Sequence, residues 1–283
     1  MAYEDLFFNP ERVRKAVMFY ERMQMPDDAD EYFRQKQPYK TLNLLMMEGT
    51  EGEYVRVCRE GQEPNGLNIR RWETTLQVMT DIFTAQCAYA CQKAREGKAM
   101  PERTQRGERG VNFEMMKALG GTFAYTSTSK KKAGEGFVKD KEDPHLLTIR
   151  PAPGIPYLDY EDFLGDDYSN PKQREILLPP MVRMTWKFRG KNRWKEVDGV
   201  SLYDIQLTGF GMPLELEEEQ QLLEILEAHA AEAADGLDDL AQQKEAAAVF
   251  KDPDHAYWKW KRAFRQLVLQ RMQRIYESYY GEK

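Results

Sequence analysis

Gln173, Glu175 and the hydroxyls of Ser127-Thr128-Ser129 are the residues in this 283-residue chain whose types and spacing point to chemistry. Successive side chains of an extended strand point to opposite faces, so Gln173 and Glu175 are expected on one side and Arg174 on the other. The polar pair runs straight into Ile176-Leu177-Leu178, which is not the pattern of a simple half-buried strand and reads as the wall of a cleft. A carboxylate fixed in such a wall can stabilise positive charge that develops during a reaction. Ser127 is read as a positioning hydroxyl. A nucleophilic serine would need a histidine backed by an acid, and no such pattern accompanies it. Taken alone, Ser127 and Ser129 are equally well explained as turn-capping hydroxyls.

The elements that must hold these residues follow from periodicity. Pro10 to Met23 carries Val13, Ala16, Val17 and Tyr20 at helical spacing, and a short helix over Ala29 to Gln35 is expected next. Thr41 to Met47 is apolar enough to be buried, of either type. Glu53 to Cys58 has the β-branched content of a strand. Trp72 to Arg95 is expected as a helix with Leu76, Met79, Phe83, Cys87 and Tyr89 inward and Gly97 as its stop. Glu96 to Gly110 reads as a polar connection and Phe113 to Leu119 as a short helix ended by Gly120-Gly121. Strands are expected over Thr122 to Ser127, Leu146 to Arg150, Glu175 to Leu178, Val182 to Arg189 and Val200 to Leu207, with a turn at Arg189-Gly190-Lys191-Asn192. Past Pro213 the composition turns to helix formers, giving helices over Leu216 to Ala234 and Leu237 to Phe250 and a last one after Pro253. The apolar stripe of that last helix fits docking on the body of the protein, or else a membrane-surface or partner-binding face. Helices, then strands, then helices predict an α+β plan. No Gly-x-Gly-x-x-Gly follows a strand, so a Rossmann site is not indicated.

Arg59, then Ser127-Thr128-Ser129, then Gln173-Arg174-Glu175 stand in an order that resembles the Arg, Ser-Thr-Ser and Glu/Gln-x-Glu signature of the mono-ADP-ribosyltransferases related to bacterial exotoxins. The resemblance covers roughly Leu42 to Leu207, and Gln173-x-Glu175 with its apolar continuation is its most specific piece. It implies an NAD-binding cleft between two small, mainly antiparallel sheets, with helices at the N-terminal side. NAD is then the substrate and no metal is implied. A guanidinium suits the pyrophosphate because its planar fork pairs two oxygens and keeps its charge. Positions three apart on a strand face opposite ways, so only one of Arg56 and Arg59 can enter the cleft; the resemblance implies Arg59, because Cys58-Arg59-Glu60-Gly61 stands where the family usually has an aromatic residue, Arg and Gly. Glu60 departs from the family's usual Arg-Gly, leaving Gly61 one place late for a backbone contact to nicotinamide. Glu175 is implied as the catalytic carboxylate beside the ribose, where bond cleavage leaves oxocarbenium-like charge, and Ser127 as the group that orients it. Thr128, Ser129 and Phe137 complete the implied NAD contacts, Phe137 by stacking on nicotinamide or else as plain core packing. Gln173 in place of Glu implies transfer to asparagine or a similar acceptor, because a neutral amide donates to and accepts from an amide. Tyr157 to Lys172 would be the loop that meets the acceptor protein, with Tyr160 and Phe163 in contact.

The expected organisation is a catalytic domain over 1–212, whose first 50 residues are helical, and a helical extension over 213–283. A bacterial effector or toxin is the implied setting. Two other readings stand beside it, an NAD glycohydrolase of the same fold and a non-catalytic interaction module. Composition narrows the field further. With 41% apolar and 31% charged residues the chain has the balance of an ordinary folded protein. No apolar run approaches the roughly 20 residues of a membrane-spanning helix. The acidic start, Met1-Ala2-Tyr3-Glu4-Asp5, lacks a general signal peptide, so a cytoplasmic protein or one exported by a specialised route is expected. A net charge of −6 argues against duplex nucleic acid as a partner, and Lys130-Lys131-Lys132 and Arg183 to Lys195 read as solvated basic faces. Three cysteines point to reduced thiols, and three scattered histidines to no structural zinc site.

Overall fold

Helix α1 (Pro10–Tyr20) begins where Asn9 accepts a hydrogen bond from the Arg12 amide and Pro10 occupies the first turn, where a missing N–H costs nothing. The computed structural model of the protein describes residues 9–21, 42–43, 66–98, 100–108, 110–130, 143–168, 173–211, 215–228, 254 and 256–281. The expected helices over 29–35 and 237–250 and the expected strand over 53–58 lie outside these residues. Two compact units divide the chain, one of residues 1–85 and 215–283 and the other of residues 86–214.

In the first unit Val13, Ala16, Val17 and Tyr20 bury one face of α1, as their spacing requires. Arg12 forks onto Asp81 with Nε–Oδ2 and Nη2–Oδ1 distances of 2.8 and 2.9 Å. Helix α2 (Gly66–Arg95) runs through the boundary at Ala85. The same unit holds α5 (Leu216–Ala228) and α6 (Ala256–Tyr280). Phe264, Val268, Met272 and Ile275 of α6 are buried while Leu267 is exposed, which is how a docked helix behaves.

The second unit holds the strands. The C-terminal end of α2 stops at Gly97, which adopts φ +70; Gly97 N–H bonds to Ala94 O at 3.0 Å and Lys98 N–H to Lys93 O at 2.8 Å, the paired closure of a left-handed cap. Then come β1 (Thr104–Glu108), α3 (Gly110–Ala118), β2 (Gly121–Thr122), β3 (Thr126–Ser129), β4 (His145–Arg150), β5 (Leu158–Asp159), α4 (Tyr160–Leu164), β6 (Glu175–Leu178), β7 (Val182–Trp194) and β8 (Val197–Phe210). The architecture is α+β. The strands form one mixed eight-stranded sheet ordered β2-β7-β8-β4-β1-β3-β6-β5, in which β4 and β8 run parallel. Instead of two separate sheets there are two segments, β2-β7-β8-β4-β1 and β3-β6-β5. They meet at a single registered pair, Gln105↔Ser129, whereas β1 pairs with β4 over five residues.

Among the differences from the sequence reading, three concern the sheet. The stretch taken as a polar connection contains β1, whose Thr104, Gly107 and Glu108 are buried; strand pairing on both sides imposes extension there without an apolar alternation. The expected strand over 122–127 is broken at Phe123 to Tyr125 into β2 and β3. The hairpin turns at Lys195-Glu196, where Lys195 has φ 54, and not at Gly190. That glycine, at φ 111, instead takes up a shift in register between Phe188 and Gly190. Val182 and Met184 are buried on β7, but the alternation ends before Phe188, which is 55% exposed. The basic run along this hairpin is solvated and faces acids, with Arg189–Asp204 and Arg193–Asp198 each at 3.6 Å.

Candidate active site

Thr126-Ser127-Thr128-Ser129 extends because its β-branched threonines fit the buried side of a pleat. Thr126 and Thr128 are buried at 3% exposure; Thr128 Oγ1 donates to Ile176 O at 3.1 Å, and Thr126 and Thr122 hydroxyls meet at 2.9 Å. Alternation therefore turns Ser127 and Ser129 to the other side. Antiparallel pairing with β6 sets Ser129 opposite Glu175 and Ser127 opposite Leu177, so Ser127 is the diagonal neighbour of Glu175 on the same face. The Ser127 hydroxyl donates to the Glu175 carboxylate. Ser129 Oγ donates to Gln173 O at 2.6 Å. From behind, the buried Gln86 of α2 donates through Nε2 to Leu177 O at 2.9 Å and fixes the strand that carries the acid.

Glu175 is 5% exposed, and burial holds its carboxyl above the usual range for a glutamate. The Ser127 hydrogen bond and the positive charge of Arg106 pull in the opposite direction without cancelling it. Arg106 lies on β1, where Nε pairs with Glu108 Oε2 at 2.6 Å and Nη1 donates to Ser127 O at 2.7 Å. Ser127 thus joins acid and guanidinium, its hydroxyl on one and its carbonyl on the other. With 27% of its side chain exposed, Arg106 also keeps contact with solvent. A buried acid, an orienting hydroxyl and a cation are suited to binding an anionic group while stabilising positive charge close by.

Of the residues singled out in the sequence, the structure brings together Ser127, Ser129 and Glu175. Thr128 faces the opposite side, into the core. Arg59, Gly61 and Phe137 lie outside the described residues. Gln173 does not share a strand with Glu175: β6 starts at Glu175, Gln173 is an exposed turn residue, and Arg174 between them adopts φ 46. A left-handed residue breaks the two-residue alternation on which their common facing was argued. Tyr160 cannot meet an acceptor, because it is fully buried and stacks on Tyr168 at 5.9 Å, whereas Phe163 is half-buried against Tyr89. Arg106 was missed because Thr104 to Glu108 offers no strand-like pattern. The available signal was an Arg-Gly pair, Arg106-Gly107, ahead of Ser-Thr-Ser in the chain.

A cavity of about 410 Å³ lies elsewhere, lined by Tyr89, Lys93, Lys130, Tyr157, Asp159 and Asp162 among others. Asp159 pairs with Ile176, the neighbour of Glu175 in the strand, so this cavity opens on the face of β3-β6-β5 away from the acid. Among the described residues no group of His, Cys, Asp and Glu is arranged to hold a metal ion, and no helix is long and apolar enough to cross a membrane.

No protein-family model matches the chain, and no curated protein matches it. It is similar to the solved catalytic domain of VahC from Aeromonas hydrophila, at 14% identity and a TM-score of 0.42, over 71% of this chain and 100% of that one. The catalytic domain of VsdC from Aeromonas hydrophila is similar at 13% identity and a TM-score of 0.40, over 70% and 100%. The ADP-ribosyltransferase Vis, solved in complex with agmatine, is similar at 11% identity and a TM-score of 0.27, over 71% and 86%. At such values the side chains themselves must carry the case for function.

Proposed function

We propose that the protein is a mono-ADP-ribosyltransferase that moves ADP-ribose from NAD to a side chain of an acceptor protein, in the setting of a bacterial effector or toxin. The observation that carries this reading is the buried Glu175 carboxylate receiving the Ser127 hydroxyl, with Arg106 bonded to the same serine. The residues present fit NAD, since a cation for the pyrophosphate and a desolvated acid for the ribose stand on β1 and β6, the two strands that flank β3 and its Ser127. NAD supplies a glycosidic bond whose cleavage releases nicotinamide and leaves positive charge on the ribose. Glu175 would set its negative charge against that centre, and Ser127 would hold the carboxylate in one orientation. Arg106 would pair the phosphate oxygens, the role first given to Arg59. Gln173, exposed at the turn before Glu175, would offer its amide to the acceptor. Residues 1–212 would act as the catalytic part and 213–283 as a helical extension.

Mass spectrometry of NAD turnover, with the protein alone and with cell lysate, tests this. Nicotinamide release with labelled lysate protein is expected. Free ADP-ribose with no labelled protein would make the enzyme a glycohydrolase. Absence of heat on mixing with millimolar NAD would leave a non-catalytic interaction module.

A further inference from the structure

Arg174 occupies a conformation that non-glycine residues seldom take, one residue before the acid and one after Gln173. Such a geometry persists only where its surroundings enforce it. Lys130 supplies much of that enforcement. Its amide donates to Arg174 O at 2.9 Å, and Ser129 Oγ holds Gln173 O alongside. Its ammonium reaches the other way, to Asp159 Oδ2 at 2.6 Å and Glu161 Oε2 at 3.2 Å. Glu161 in turn stands 3.9 Å from the Arg174 guanidinium. Asp159 is committed to the same corner, because its Oδ1 caps α4 through the Asp162 amide at 3.4 Å. That helix is anchored to α2, where Asp162 Oδ2 lies 2.7 Å from Tyr89 Oη and 2.6 Å from Lys93 Nζ. Lys130 is therefore a tie with one end on the turn and the other on a braced helix start.

We infer that Lys130, with Glu161, is a positioning residue that sets where the Gln173 turn presents itself to the acceptor, and so governs transfer more than NAD binding. The inference rests on the transferase reading. Alternation from Ser129 and the Asp159↔Ile176 pair put the ammonium and its carboxylates on the face away from Glu175. They act on the reaction only through the turn. The side chain is 22% exposed and its partner Asp159 12%, so the tie is shielded from competing water more than a surface pair is.

The test uses the full chain and the variants Lys130→Met, Lys130→Arg and Glu161→Gln. Biotin-labelled NAD with cell lysate reads transfer, and nicotinamide release without lysate reads hydrolysis. Lys130→Met is expected to keep the KM for NAD within about two-fold and most of the hydrolysis, while transfer falls by about ten-fold, since losing one charge-assisted hydrogen bond costs that much or more. Lys130→Arg restores most of the transfer, and Glu161→Gln shows a smaller loss of the same kind. An active wild type whose Lys130→Met variant keeps full transfer, or loses hydrolysis and transfer equally, overturns the inference. A folded wild type with no NAD turnover overturns instead the transferase reading beneath it.

Discussion

Glu175 pays twice for its position, once in solvation and once in pH range. Its carboxyl is held above the usual range mainly by burial. In the fold it therefore binds its proton more tightly than in the unfolded chain. The stability associated with this group is complete below the unfolded value of about 4.3 and is lost as pH rises through the higher folded value. Glu175→Gln should consequently raise the melting temperature at neutral pH, with the gain vanishing in acid, while lowering kcat about 10²- to 10³-fold as for loss of one preorganised charge-stabilising group. Thermal melts across pH and steady-state NAD turnover check both halves; a destabilised variant at neutral pH would contradict the assignment. Arg106 pulls the same carboxyl down. Arg106→Met should move the acidic limb of the rate profile to higher pH and lower kcat/KM for NAD by roughly 10- to 100-fold, from one charge-assisted hydrogen bond at about 1.5–3 kcal/mol. Ser127 and Glu175 were legible in the sequence because a hydroxyl cluster and an acid against an apolar run differ from their neighbours. Arg106 was not, because one arginine in a polar stretch looks like surface until strands close on it.

Among the elements, β6 was readable to the residue and β1 was invisible. Ile176-Leu177-Leu178 is wholly buried and announces itself by hydrophobicity, whereas β1 exists through its five pairs with β4. The hairpin turn was misplaced because Gly190 and its polar neighbours imitate a two-residue turn, although glycine serves equally as a bulge. Within the sheet, Gly121 has little room. A Cβ there would lie 2.7 Å from Val182 O, a backbone atom that cannot move without disturbing the β2–β7 pairing. Gly121→Ala is expected to destabilise the protein by about 1–3 kcal/mol, as overpacking does, in denaturant titration. Gly97→Ala meets no neighbouring atom within 4 Å, so its cost, of order 1 kcal/mol, comes from the left-handed backbone alone.

For the molecule as a whole, the α+β plan followed from the order of helical and strand-like segments, while the parallel β4–β8 pair did not, since periodicity carries no information on which strands become neighbours. If NAD is the substrate it binds the folded chain alone, so saturating NAD should stabilise it by mass action, about 2.7 kcal/mol at a hundred times Kd. A melting temperature unchanged by NAD would count against the site. That Gln105↔Ser129 is the single registered pair between the two sheet segments has a mechanical consequence. Paired strands stand only about 4.8 Å apart, too close to admit a dinucleotide, so each further rung zipped between β1 and β3 would draw the strand of Arg106 closer to the strand of Ser127. Substitutions that favour extra rungs should therefore strengthen the sheet while slowing any turnover of NAD.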